Sequence, residues 1–306
     1  MRDAFAKEMK LIAESRKDLV LLSGDIGNRM FDAFKETAPN QFINCGIAEA
    51  NMMSMAAGLA LSGMRPVVYT ITPFTTTRCL EQIKVGVAYH DASVVIVGTG
   101  SGLSYSELGP THHSLEDIAI LRSIPGIRIL TPADRNELIA QLRESLELKG
   151  PTYIRIGKKG EPNLHKNLNN LGVGKGNLIM QGNDYLIIGV GPILNEAIMA
   201  AEKLKDQDIS VAVASLGGVK PLDSTFLHEM RNKQFKSWIT IEEHSLIGGL
   251  GSALLEWESE LKAKSRIRIE RIGVPDKFIH ELGNQQFTRK QLGLDSNGII
   301  KKIQTL

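Results

Sequence analysis

Two short runs hold residues whose types and spacing could do chemistry. In Gly46-Ile47-Ala48-Glu49-Ala50-Asn51-Met52, a carboxylate falls where Gly46 opens a helix. The helix macrodipole favours a carboxylate in its first turn, so Glu49 taken alone reads as an ordinary first-turn residue. Its small neighbours, Gly46, Ala48, Ala50, Ala56, Ala57 and Gly58, would let this helix pack closely on another surface, of this chain or of another. The second run is Gly109-Pro110-Thr111-His112-His113-Ser114, a loop expected to enter a helix near Ser114. Adjacent histidines in a loop can ligate metal, but no Cys or further His lies near at metal spacing. A solvated loop is the plain reading of the residues alone.

The elements that must position these runs alternate along the chain. Asp18 to Leu22, Arg65 to Tyr69 and Ala92 to Val97 are short apolar runs without alternation, which fits strands buried on both faces of a parallel sheet. Helix-like stretches, Asn51 to Leu61 and Leu80 to Tyr89, lie between them, giving the βαβ signature. After Pro151 to Ile156 comes a stretch rich in Gly, Asn, Lys and Pro, and the alternation then restarts at Tyr185 to Gly189. Further strands are expected at Ile209 to Val213, Ser237 to Ile241 and Ile267 to Ile272, with helices over Asn195 to Leu204 and after Gly248-Gly249-Leu250-Gly251. The expected fold is α/β in two domains, each a mainly parallel sheet flanked by helices. They span 1–160 and 185–306, with 161–184 as linker. Ligands of open α/β sheets bind outside the carboxyl ends of the strands. That directs the search to Ser23 to Arg29, Cys45 to Glu49, Thr70 to Arg78 and Gly98 to His113.

Bulk properties agree with two globular domains. The chain has 306 residues, and one core rarely grows past roughly 250. Its 36 basic and 34 acidic residues leave a net charge of +2, which gives no nucleic-acid footprint. Cys45 and Cys79 make no disulfide framework and have no zinc-like spacing, so reduced thiols are expected. The charged N-terminal run is no secretory signal, and no apolar run nears the roughly 18 residues of a membrane span, so a cytoplasmic location is expected.

The runs around Glu49 and His112 resemble those of the transketolase-type thiamine-diphosphate enzymes. The resemblance covers essentially all of this chain but only the C-terminal half of a transketolase. It implies a pyrimidine-binding domain followed by a transketolase C-terminal domain. It implies that Glu49 is the catalytic glutamate that hydrogen-bonds the cofactor's aminopyrimidine and so helps the thiazolium carbon lose its proton. Such a carboxyl group must be shielded from water, because shielding raises its proton affinity. Phe74, in Tyr69 to Arg78, matches an aromatic position that packs on the aminopyrimidine. Thr77 stands where the family usually has a second aromatic, and Arg78 could help shape that pocket. His112 in Gly-Pro-Thr-His matches the family's active-site histidine, which contacts substrate oxygens, and His113 replaces a residue that is usually Gln. Leu108 stands where transketolases usually read a sugar hydroxyl with Asp. Arg2 and Lys158 match or lie near phosphate-contacting arginines, and Arg29 adds a cation in the first loop; each is otherwise a solvated surface residue.

The resemblance also implies what another chain must bring. The family's diphosphate and Mg2+ are held by a Gly-Asp-Gly motif with a downstream Asn, whereas Gly24-Asp25-Ile26-Gly27-Asn28 lacks the second Gly and the spacing. No metal ligand is therefore assigned to this chain. Asp25 instead resembles an acidic residue at the family's cofactor-bearing interface. The implied partner is an N-terminal transketolase-like subunit, in an α2β2 heterotetramer acting on sugars or sugar phosphates. The expected activity is transfer of a two-carbon ketol unit from a ketose to an aldose, in specialised sugar biosynthesis. Rival readings are the β subunit of a 2-oxoacid dehydrogenase, a deoxyxylulose-phosphate synthase-like enzyme, and a stabilising subunit without turnover. The glycine-rich turn at Gly248 to Gly251 could hold an anion, but it is assigned no catalysis.

Overall fold

The apolar runs become parallel strands buried on both faces. A computed structural model describes residues 1–27, 29–262 and 266–306. The first six strands are β1 Leu19–Ser23, β2 Phe42–Asn44, β3 Arg65–Ile71, β4 Val95–Thr99, β5 Arg128–Leu130 and β6 Thr152–Ile156. The next six are β7 Asn177–Met180, β8 Tyr185–Gly189, β9 Val211–Ser215, β10 Gly218–Lys220, β11 Ser237–Ser245 and β12 Ile269–Val274. Among the described residues they form two sheets, ordered β10-β5-β6-β4-β3-β1-β2 and β12-β11-β8-β9-β7. All pairings are parallel except β10 with β5 and β7 with β9. Every residue of β1, β4, β6 and β9 is buried, which is why these runs show no polar alternation.

The two sheets are joined more tightly than a chain with a free linker would suggest. β7 falls inside the expected 161–184 linker and pairs with β9. β10, from the second half of the chain, crosses to pair with β5 at the edge of the first sheet. One buried apolar cluster runs from Val20, Leu22, Val68 and Ile96 to Leu186, Ala212 and Trp238. The stretch Leu80 to Tyr89 winds wider than an α-helix over Gln82–Ala88, where the Tyr89 N–H donates to the Lys84 carbonyl five residues back. The helix expected near Ser114 starts only at Asp117. Backbone at Ser114 and Leu115 is held outside the helix: the Ser114 N–H donates to the Gly102 carbonyl, and the Leu115 carbonyl accepts from the Ser245 N–H.

A buried acidic cluster lies where the first sheet meets the second half of the chain. Glu137, on the helix Arg135–Glu147, accepts from the Ala133 N–H at 2.6 Å and from the Ser215 hydroxyl at 3.0 Å. Asp134 caps that helix and accepts from the N–H groups of Leu164 and His165. Burial pushes Glu137 up to about 7. Burial works against the His165 charge, but the Asp134 carboxylate, 3.1 Å from Nδ1, and the Glu137 carboxylate together outweigh it and raise that group. Both groups bind protons more tightly folded than unfolded, so their contribution is full at low pH and is lost as pH rises. For Glu137 the loss falls between its ordinary value and about 7. Asp134 is held low and acts only in a more acidic window. Urea unfolding of wild type should therefore lose stability between pH 5 and pH 8. Glu137→Gln should flatten that slope, and an unchanged slope would reject the assignment.

Candidate active site

Every residue that could do chemistry here is carried by a loop at the carboxyl end of a parallel strand, as the topology requires. The chain leaves β2, turns at Gly46 with φ of +66°, and enters the helix Glu49–Leu61. Glycine takes that left-handed conformation without strain. Glu49 begins the helix, with 6% of its surface exposed. The loop after β3 forms the short helix Thr72–Thr75 and a following turn, Thr77–Cys79. From it the Arg78 guanidinium reaches Glu49 Oε2 at 3.1 Å and lies over the Phe74 ring, 4.0 Å from its centroid. Thr77 is exposed, and its hydroxyl donates to the Pro73 carbonyl.

The loop after β4 supplies the opposite wall. The edge contact between His112 and Phe74 has ring centroids 5.3 Å apart at 66°. Tyr105 stands beyond His112, with centroids 6.0 Å apart. Lys158, from the end of β6, lies over Tyr105 with Nζ 4.3 Å from the ring centroid. Its ammonium donates to Glu107 Oε1 at 3.0 Å. A continuous row thus runs Glu49, Arg78, Phe74, His112, Tyr105, Lys158, Glu107. His112 Nδ1 is 2.9 Å from the Thr111 hydroxyl, and Nε2 has no hydrogen-bond partner among the described residues. Burial first, then the charges of Arg78 and His113, hold His112 below its ordinary value. The ring is therefore neutral at neutral pH and can give or take a proton at Nε2.

This loop is bolted to the second half of the chain. Asp117 accepts from the Tyr153 hydroxyl at 2.6 Å and from Arg155 Nε at 2.7 Å. Arg155 Nη2 also donates to the carbonyls of Ser114 and Glu243. Glu243 in turn accepts from Arg289 and Gln285. Gly102 must be glycine for this fit: its φ is +60°, and a Cβ there would stand 2.8 Å from the Glu243 carbonyl oxygen.

Residues 1–161 match the transketolase pyrimidine binding domain, and residues 174–299 match the transketolase C-terminal domain. The chain belongs to the transketolase family. It is 34% identical over 302 residues to an apulose-4-phosphate transketolase subunit of Phocaeicola vulgatus, covering 98% of this chain and 95% of that one. It is 32% identical over 302 residues to a 6-deoxy-6-sulfo-D-fructose transketolase subunit of a Clostridium species, covering 98% and 92%. Among solved structures, "Split gene transketolase, inactive beta4 tetramer" superposes with a TM-score of 0.88 at 30% identity, covering 99% of this chain and 96% of that one. The two α/β domains are those of the transketolase pyrimidine and C-terminal domains.

Within this transketolase fold the row brings Glu49, Phe74, Arg78, His112 and Lys158 together. Leu108, about half exposed, closes the same loop one residue before Gly109. Arg2 lies in the first turn of the helix Arg2–Ser15, with a buried Nε that has no hydrogen-bond partner among the described residues. Its charge reaches the Tyr69 hydroxyl, which burial pushes up to about 12. Asp25 and Arg29 line a cleft at the end of β1 with Lys35, Phe42 and Asn44; Asn28 lies outside the described residues. His113 is buried, and its Nε2–H donates to the Ser106 carbonyl at 3.1 Å, a bond that braces the loop. The glycine-rich turn holds an anion from within this chain. The N–H groups of Leu250 and Gly251 donate to the Glu242 carboxylate at 2.6 and 2.9 Å. Tyr105 and Glu107 are additional members of the site. They precede His112 by seven and five residues in a loop already singled out, and only the fold shows them facing Lys158.

Proposed function

We propose that this chain is the C-terminal subunit of a split transketolase of the cytoplasm, transferring a two-carbon ketol unit from a ketose donor to an aldose acceptor. The observation that carries the reading is the buried Glu49 carboxylate joined through the Arg78 guanidinium to the Phe74 ring, which the His112 ring meets in turn. A buried carboxyl one guanidinium away from an aromatic ring fits the aminopyrimidine end of thiamine diphosphate, with Arg78 moving off the Phe74 ring to admit it. When bound, that cofactor supplies a carbon nucleophile and an electron sink. Glu49 would hold the proton shared with the pyrimidine ring. His112 would steady the substrate oxygens through Nε2, and the Phe74 and Tyr105 rings would keep water from the reacting atoms. Thr77 and Asp25 would border the cofactor end.

The diphosphate and Mg2+ would be held by an N-terminal-half partner in an α2β2 assembly. Both relatives are named as subunits, and the split-gene structure is an inactive tetramer of β chains alone; both facts support that dependence. Leu108 favours a substrate without the hydroxyl that an Asp would read. Lys158, with Arg2 and Arg29, would meet a polar or anionic substrate end. The named substrates of the relatives carry a phosphate and a sulfonate, which supports a sugar with a modified terminus.

The test is calorimetric titration of thiamine diphosphate with Mg2+ into the chain alone and into the chain mixed with a Gly-Asp-Gly partner. Binding and ketol transfer are expected only with the partner. Tight metal-dependent binding by this chain alone would overturn the half-site reading.

A further inference from the structure

At the outer end of the contact row, Lys158 is already paired. Its ammonium donates to Glu107 Oε1 at 3.0 Å while it lies over the Tyr105 ring. The pair is open to solvent, with 26% of the Lys158 side chain and 48% of the Glu107 side chain exposed. Tyr105 touches the His112 ring, so Lys158 sits one ring further from the reacting end than His112. A sugar lying along this row with its carbonyl end at His112 would bring its far end to Lys158.

We propose that Glu107 is a specificity-determining residue: its carboxylate competes with a substrate's terminal phosphate for the Lys158 ammonium and tilts the site towards substrates with an uncharged far end. A phosphate bonded to Lys158 would place its oxygens beside a carboxylate on the same donor, and like charges at that range repel. Hydroxyl groups meet no such penalty, since the ammonium can donate to them and the carboxylate can accept from them. Half-exposed pairs are weak, so Glu107 can turn to water and yield Lys158 to a phosphate. The residue therefore discriminates without forbidding. The substrate's identity as a sugar rests on the ketol-transfer reading, whereas the charge competition does not.

Inorganic phosphate titrated into the full chain tests the competition directly. Glu107→Gln keeps the size and removes the charge, so phosphate should bind about two- to fivefold tighter than to wild type. The gain should vanish in Glu107→Gln/Lys158→Met. In the assembled enzyme, kcat/KM for a phosphorylated aldose relative to its unphosphorylated counterpart should rise by a similar factor. An affinity at or below wild type, or a gain that survives loss of Lys158, would overturn the proposal. Phosphate affinities that respond as expected in a complex that transfers no ketol unit would sustain the competition and reject the ketol-transfer reading.

Discussion

Glu49→Gln is expected to lower kcat of the assembled enzyme by about 100- to 10,000-fold, the range for loss of a positioned acid–base group. Glutamine fills the same space at the start of the helix Glu49–Leu61 and can still hydrogen-bond, but it cannot hold an exchanging proton. The fold should scarcely notice. Among the described residues Glu49 is paired only with Arg78, whose side chain is 46% exposed and can turn to water. Pairs with one exposed partner contribute about 1 kcal/mol or less. The Arg78 contact with the Phe74 ring does not involve the carboxylate and should survive. Steady-state ketol transfer and a thermal melt of the same preparation separate the two effects. Full activity in Glu49→Gln would remove the carboxyl group from the mechanism. A collapsed melt would show instead that Glu49 serves chiefly to hold the helix.

Much of this site was legible in the sequence because its parts are local. The strands of the first sheet are unbroken apolar runs, so the loops after them can be found before any fold is known. Glu49 and His112 lie in short runs with glycine at the turns, and both are on the row. What stayed hidden depends on contacts between distant segments. Gly218–Lys220 resembles a turn, yet it is a strand because β5 offers an open edge. Asn177–Met180 lies in a polar stretch and is a strand for the same reason, against β9. His113 is equivalent to His112 by type and position, but the loop's turn puts one ring on the row and buries the other against Ser106. Glu107 gains its meaning only from Lys158, 51 residues on.

Arg155→Met should unfold at markedly lower urea, with a loss of about 3–5 kcal/mol, because it strands a buried charge. The Arg155 and Asp117 side chains are 3% and 2% exposed, so neither can turn to solvent. Among the described residues Asp117 Oδ1 already lacks a hydrogen-bond partner, and without Arg155 only the Tyr153 hydroxyl would remain. Methionine fills the volume, so the cost is one of charge and hydrogen bonding, not of a cavity. The Arg122–Glu256 pair makes the contrast, since the Glu256 side chain is 59% exposed. Glu256→Gln should cost about 1 kcal/mol or less. Asp117→Asn/Arg155→Met removes both charges, and its loss should be smaller than the two single losses added together. Arg155 also holds the Ser114 carbonyl, two residues beyond His112, and the Glu243 carbonyl of β11. Below its melting temperature the Arg155→Met enzyme should therefore still lose kcat, as the His112 loop comes free of the second sheet. Wild-type kcat in a destabilised Arg155→Met protein would mean that this bridge supports the fold alone and that the Phe74 and Tyr105 rings suffice to hold His112.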